Sequence, residues 1–216
     1  MKLANRMYRA ALGVVSMLLT LTLVFSAYLP AAASTPNAPQ SSAKLTGRSR
    51  RGQPHVLSRV HVAGVLALGI VQQPVGDTGF VSNADDVATQ FATAAKYGNI
   101  GLLAHDYLAG RSFSQLVIGE TVRLIYRDGE VEDFVVSEVL RFQALQPENP
   151  WSSLRNLDNH ALMTAGQVFT RVYAGKHHVT FQTCIEKLGN FSWGRLFVLA
   201  MPAGADGSQE GPDPQR

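Results

Sequence analysis

Short runs of apolar and β-branched residues, separated by turn signals, make up most of the chain between residues 56 and 201. Runs of this kind are typical of β-strands. The sequence Arg127-Asp128-Gly129-Glu130 lies between two of them and predicts a tight hairpin, because Asp-Gly accepts the positive φ angles that such turns need. We therefore predict a mainly β fold, a closed or nearly closed antiparallel barrel. The predicted strands are 56–71, 100–104, 120–126, 131–143, 179–184 and 196–201.

One or two short helices are expected beside these strands. Asn83-Ala84-Asp85-Asp86 precedes Val87, Phe91, Ala94 and Ala95, a pattern that predicts a capped helix with acidic residues at its positive end. A second helix or an irregular insertion is expected over residues 151–168.

The first 33 residues have the pattern of an export segment. Three basic residues, Lys2, Arg6 and Arg9, precede an apolar run over 10–29, and small residues follow Pro30. A signal peptidase could cleave after residue 33. Alternatively, the run stays as a membrane anchor, since 20 helical residues at about 1.5 Å each just span a hydrocarbon core of roughly 30 Å.

Composition divides the rest of the chain. Residues 34–54 are rich in small and polar residues, with almost nothing apolar to bury, and predict a disordered linker. Residues 55–202 carry the strands and form the predicted folded domain, and residues 203–216 predict a disordered tail.

Positive charge is concentrated before the predicted domain. Residues 1–59 hold eight of the 19 basic residues and no acidic residue, so the remainder has 19 − 8 = 11 basic against 16 acidic residues, a net charge of −5. Phosphate binding needs clustered Lys and Arg on the folded surface. A nucleic acid is therefore excluded as the expected partner.

A single cysteine, Cys184, constrains the chemistry of an exported chain. Oxidising compartments favour paired cysteines, and a lone thiol cannot form an intramolecular bridge. Cys184 is therefore either a buried, inert residue or a reactive one. Zinc bound through a thiolate cluster is excluded, because such sites need several Cys or His ligands.

Two further residues suit a cysteine nucleophile. His105 follows the predicted strand 100–104, and Arg195 opens the predicted strand that ends at residue 201. Taken singly, His105 could be a surface or capping residue and Arg195 a salt-bridged edge residue. Together with Cys184 they supply what acyl transfer needs, which is a nucleophile, a proton carrier and a donor to the oxyanion.

The order and spacing of these residues resemble the sortase family. The separations are 184 − 105 = 79 and 195 − 184 = 11 residues, and the resemblance covers about residues 54–202. It implies an eight-stranded sortase barrel outside the cytoplasm, with His105, Cys184 and Arg195 as catalytic residues. It also implies cleavage of a sorting-signal peptide and transfer to an amine. The motifs are Leu103-Ala104-His105, Phe113 and Leu116, Gly119-Glu120-Thr121-Val122, Asp128-Gly129, Thr180-Phe181-Gln182-Thr183-Cys184 and Gly194-Arg195.

Two features depart from the family pattern. Ala104 stands where family members commonly have glycine, and residues 151–175 do not align with a standard loop, so they could select the substrate. Two other functions stay open: a hydrolase of the same fold, in which water replaces the amine, and an exported β-barrel binding module with an inert thiol.

No cofactor and no metal site is predicted. His177 and His178 are neighbours, and neighbours on a strand point to opposite faces, so they cannot ligate one ion. Glu130, Glu132 and Asp133 could bind calcium, as acidic clusters do in some sortases, but they are more typical of a solvated hairpin.

Overall fold

The computed structural model describes residues 55–204. The predicted export segment, the linker and residues 205–216 of the tail lie outside the described residues, and those predictions stay untested. Among the residues that the structure describes, no helix is both long and apolar enough to cross a membrane.

Within this range the chain forms ten strands and three short helices. The strands are β1 (Leu57–Val62), β2 (Leu66–Gln72), β3 (Val87–Phe91), β4 (Ile100–Leu103), β5 (Thr121–Tyr126), β6 (Val131–Ala144), β7 (Leu154–Asn156), β8 (Leu162–Met163), β9 (Val179–Lys187) and β10 (Asn190–Pro202). The helices are α1 (Ala92–Ala95), α2 (Gly110–Phe113) and α3 (Ala165–Tyr173).

Eight of the strands close into a barrel, which confirms the predicted fold class. Their order around the barrel is β10-β9-β4-β3-β2-β1-β5-β6, and β6 pairs again with β10. The barrel is not wholly antiparallel, because β2 pairs with β3, and β4 with β9, in parallel. Parallel neighbours need a longer crossover connection than a hairpin, and residues 73–86 provide it between β2 and β3.

Two hydrophobic cores follow from the alternation of side chains along the strands. One core fills the barrel with residues from all eight barrel strands, such as Phe181 and Val198. The second lies outside the barrel, where α3 packs its buried residues Val168 and Val172 against Phe197 and Leu199 of β10. Inward and outward residues alternate along β10, so this one strand contributes to both cores.

Two sequence predictions are wrong in their local detail. The predicted strand over 56–71 is a hairpin, β1 and β2, which turns at Gly64 with φ of 73°. The predicted helix after Asp86 is strand β3, followed only by the one-turn helix α1. Asp86 has a left-handed φ of 53°, which ends any helix there, and β3 is held between β2 and β4 by hydrogen bonds.

The expected insertion over 151–168 contains β7, β8 and the start of α3, which continues to Tyr173. Thr164 caps this helix, because its side chain accepts from the backbone N–H of Gln167 while the Gln167 side chain accepts from the backbone N–H of Thr164. This reciprocal arrangement fixes where α3 begins. The insertion thus forms a small layer on the outer face of the barrel.

Candidate active site

Cys184 lies within β9, on the outer face of the barrel, and is partly exposed. The sequence placed it at a strand end, but β9 continues to Lys187 and turns into β10 through Leu188 and Gly189, which both have positive φ. A two-residue turn of this kind matches the twist of the two strands. Residues 186–192, which follow the predicted strand 179–184, therefore lie largely in a hairpin.

Arg195 is the cross-strand neighbour of Cys184. It does not open its strand as expected, since β10 begins five residues earlier, at Asn190. The pairing of β9 with β10 is irregular between Asn190 and Gly194, which indicates a bulge directly before Arg195. Bulges often re-aim a side chain beside a functional site.

The bulge also holds the guanidinium in place. Nη1 of Arg195 donates to the backbone carbonyl oxygens of Ser192 and Gly194, at 2.9 and 2.8 Å. Within residues 55–204, Arg195 forms no salt bridge with a carboxylate. Its charge is therefore not neutralised by an acid there, unlike the salt-bridged edge residue that the sequence left open.

His105 lies at the same end of the sheet as Cys184. Strands β4 and β9 are parallel with Leu103 opposite Gln182, and the Ala104 N–H donates to the Gln182 carbonyl at 3.2 Å. Because parallel neighbours advance together, His105 leaves β4 at about the level where β9 reaches Cys184. The structure thus brings His105, just after β4, to about the same level as Cys184 on β9 and Arg195 on β10.

Aromatic residues flank His105. Its ring stacks on Tyr107, with centroids 5.2 Å apart and planes at 19°, and Tyr107 contacts Phe191 edge to face at 6.2 Å. Tyr107 and Phe191 are both exposed. This stack limits the positions that the imidazole can occupy without sealing it from solvent.

Gly110 closes the turn after His105. Its N–H donates to the His105 carbonyl at 2.9 Å. A Cβ at this position would lie 2.3 Å from Oγ1 of Thr183 and 2.7 Å from the His105 carbonyl oxygen. Only glycine fits between the histidine turn and the residue before Cys184, so Gly110 sets how closely the two approach.

The electrostatic surroundings of Cys184 favour the neutral thiol. Burial raises the pKa of Cys184, the Arg195 guanidinium lowers it, and the Asp106 carboxylate raises it. The net direction is upward, so the thiolate is a minor form at neutral pH. Arg195 is the one contributor that favours the reactive form.

A cavity of about 450 Å³ opens beside these residues, between α3, β7 and the outer face of the barrel. Its wall is mostly apolar, with Trp151, Leu154 and Phe169 among its residues. Gln182 contributes an amide to the wall, and Arg195 contributes a positive charge. Cys184 is not among the lining residues, but it lies on the same face of β9 as Gln182 and opposite Arg195.

No protein-family model matches the sequence, and a comparison with curated proteins finds no match. The fold is similar to that of sortases. Sortase A from Listeria monocytogenes is 14% identical, with a TM-score of 0.44 over 69% of this chain and 88% of that chain. A lid mutant of sortase A from Corynebacterium diphtheriae is 16% identical, with a TM-score of 0.46 over 73% and 75%. A lid mutant of sortase C1 from Streptococcus agalactiae is 13% identical, with a TM-score of 0.42 over 67% and 68%. This likeness is one of fold alone.

Sequence reasoning missed four residues of this site: Asp106, Tyr107, Gly110 and Gln182. The first two follow His105 directly and could have been found as chain neighbours of a candidate residue. Gln182 is two residues before Cys184, so strand alternation alone assigns both to one face. Nothing in the sequence indicates the contact between Gly110 and Thr183, because 73 residues separate them.

The acidic residues of the β5–β6 hairpin each have a protein partner. Glu132 accepts from the Tyr126 hydroxyl at 2.6 Å, and Asp133 is bonded to Arg123 at 2.9 Å. Glu130 and Asp128 lie 3.4 and 3.0 Å from Nδ1 of His55, which brings ligand atoms of those three residues within 4.8 Å of one another. The three acids proposed as a calcium alternative are thus divided among different partners.

His177 and His178 also contact protein groups. Nδ1 of His177 lies 2.7 Å from the Gly98 carbonyl oxygen. Both ring nitrogens of the buried His178 lie within 2.8 Å of backbone carbonyls, those of Lys176 and Val172. Both histidines lie just before β9 and not on a strand; His178 connects this segment to Val172 of α3, and His177 connects it to the segment before β4.

Proposed function

We propose that this chain is a cysteine transpeptidase that works through a thioester. The observation that supports this most is the cross-strand pair of Cys184 and Arg195, in which the guanidinium is anchored by two carbonyls and has no acidic partner among the described residues. A cation held in this way beside a thiol can stabilise negative charge that develops there. An inert structural thiol would gain nothing from it.

The first step forms the acyl-enzyme. His105 takes the proton of the Cys184 thiol, and Sγ of the resulting thiolate attacks a peptide carbonyl carbon. The carbonyl electron pair moves to oxygen, where Arg195 donates to the oxyanion. When the intermediate collapses, the C–N bond breaks. His105 gives a proton to the departing amine, and the acyl group stays on Cys184 as a thioester.

The second step releases the product. An incoming amine attacks the thioester carbonyl, His105 takes a proton from its nitrogen, and the C–S bond breaks with return of the Cys184 thiolate. Water in place of the amine would give a hydrolase instead. Each step uses only the side chains of His105, Cys184 and Arg195.

The proposed substrate is the sorting-signal peptide of exported proteins, with an amine as acceptor. The export segment predicted for residues 1–33 supports a reaction outside the cytoplasm, with the protein either membrane-anchored or secreted. The cavity beside Arg195 supports an extended peptide with apolar side chains, because its wall is mostly apolar and its volume suits a few side chains.

Mass spectrometry on the full-length protein tests this function. The protein is incubated with a library of sorting-signal peptides and an amine, and both the protein mass and the products are measured. We expect an acyl adduct on Cys184 and a peptide–amine product, both absent in Cys184→Ala. A peptide–acid product alone would establish the hydrolase. If Cys184 neither forms an adduct nor reacts with a thiol probe, the proposed enzymatic function is overturned and a binding module with an inert thiol is favoured.

A further inference from the structure

Gln182 lies on the same face as the proposed nucleophile. It precedes Cys184 by two residues on β9, and in the register with β10 it stands opposite Phe197, while Cys184 stands opposite Arg195. Side chains two residues apart on a strand share a face. These four side chains therefore form one patch on the outer face of the barrel, along the wall of the cavity.

The Gln182 amide is oriented by Tyr173. The Tyr173 hydroxyl donates to Oε1 of Gln182 at 2.5 Å. Tyr173 is 2% exposed and its ring contacts Phe91, Phe169 and Phe197, so the donor that holds the amide is itself fixed. The amide oxygen of Gln182 is thus already hydrogen-bonded within the protein.

The nitrogen end of the amide is free to bind a ligand. In residues 55–204, Thr183 Oγ1 is the only fully buried side-chain polar atom without a partner. Nε2 of Gln182 has no hydrogen-bond partner in that range either, so it cannot be fully buried. Gln182 lines the cavity, so a donor that is neither fully buried nor bonded lies at or near the cavity wall.

The surroundings make this donor selective. Apart from Arg195, the cavity wall around Gln182 is mostly apolar and aromatic, as at Phe91, Val168 and Phe169. A ligand that covers Nε2 without offering an acceptor leaves a desolvated N–H group without a partner, which is costly. Sites built to hydrogen-bond one substrate group reject analogues that lack it.

We propose that Gln182 is a specificity-determining residue, whose Nε2–H donates to an acceptor oxygen of the bound peptide. Residues two apart on a strand are separated by about 7 Å, so this oxygen lies about two residues along an extended peptide from the attacked carbonyl. The oxygen belongs either to a polar side chain or to the peptide backbone. The inference rests on the proposed function for the identity of the ligand as a peptide.

Binding measurements without turnover test the inference. Full-length protein carrying Cys184→Ala is combined with Gln182→Leu, which removes the donor at similar size. Gln90→Leu is the matched control, because Gln90 is a strand glutamine that does not line this cavity. Each protein is titrated with fluorescent peptides that carry asparagine, serine or leucine two residues from the scissile position.

If the oxygen is on a side chain, Gln182→Leu should weaken binding of the asparagine and serine peptides about fivefold and leave the leucine peptide unchanged or tighter. If the oxygen is on the backbone, all three peptides should weaken by about the same factor. Gln90→Leu should leave the affinity for all three peptides unchanged in both cases. Equal affinities for every peptide in Gln182→Leu and Gln90→Leu would overturn the inference.

Tyr173→Phe is a second variant that keeps the ring and frees the amide to rotate. It should weaken binding of the same peptides as Gln182→Leu does, by about twofold. Affinities equal to those of Gln90→Leu for every peptide would contradict the role of Gln182 even if Gln182→Leu did not fold. Failure of the proposed function is a separate outcome. In that case no peptide forms an adduct with Cys184 in the mass-spectrometric experiment, whether or not Gln182→Leu changes peptide binding.

Discussion

Replacement of Gly110 by alanine tests whether the histidine turn is held at contact distance from β9. Gly110 does not have a positive φ and it begins α2, so backbone preference alone predicts that alanine would stabilise the protein. Packing predicts the opposite. The new Cβ would lie 2.3 Å from Thr183 Oγ1, 2.7 Å from the His105 carbonyl oxygen and 2.9 Å from the Ala104 carbonyl oxygen.

The size of the effect follows from these distances. Ordinary contact begins near 3.4 Å, so relief of the shortest contact needs a displacement of 3.4 − 2.3 = 1.1 Å. Overpacking of this kind costs about 1–3 kcal/mol. For a domain of this size we expect Tm to fall by about 2–4 °C for each kcal/mol. A misplacement of about 1 Å between reacting groups can cost on the order of a hundredfold in rate.

Calorimetry and turnover on the same samples measure both effects. Gly166→Ala is the control for the calorimetry, because its Cβ would meet nothing within 4 Å and α3 should gain up to about 1 kcal/mol. It does not serve as the control for turnover, since Gly166 lines the cavity. Adding Thr183→Ala to Gly110→Ala should restore only part of the loss, since the two backbone carbonyls still oppose the Cβ. A Gly110→Ala protein with the Tm and turnover of the wild type would refute the reasoning.

Three further predictions concern the charges and the boundaries of the domain. Arg195→Lys should keep Tm within about 3 °C and lose on the order of a hundredfold in turnover, because an ammonium cannot reproduce the guanidinium fork; unchanged turnover would remove Arg195 from the site. Asp106→Asn removes a charge that raises the pKa of Cys184, so thiol labelling below that pKa should become faster. The pH profile of labelling should shift to lower pH in Asp106→Asn and to higher pH in Arg195→Leu. Residues 55–204 expressed alone should be soluble and melt cooperatively, since both hydrophobic cores lie within them; an unfolded circular dichroism spectrum would contradict the boundary.

The strands that the sequence predicts best are those whose pattern reflects their packing. Along β5 the residues alternate between exposed and buried positions, and the Asp128-Gly129 turn that follows carries a strong local signal. Strand β9 also alternates near its end, with Thr183 buried and Gln182 and Cys184 partly exposed. Local sequence is enough here because the burial pattern and the backbone period agree.

The predictions fail where distant contacts decide the local structure. The acidic residues before β3 resemble a helix start, yet Thr89 is fully buried and pairs with Leu103 of β4, so the segment is a strand. Tertiary pairing overrides local preference in such cases. The bulge before Arg195 depends likewise on the register between β9 and β10, which no local pattern specifies.

The environment of the site depends on the insertion more than on the barrel. Alternation along β9 sends Phe181 into the barrel and Gln182 and Cys184 to its outer face. An outer face would ordinarily be open to solvent, but α3 and β7 cover part of it and leave the cavity that Gln182 and Arg195 line. A barrel of the same topology with another insertion would keep the register of Cys184 with Arg195 and change what can bind beside them. The segment that the sequence could not align is therefore the one expected to determine the substrate.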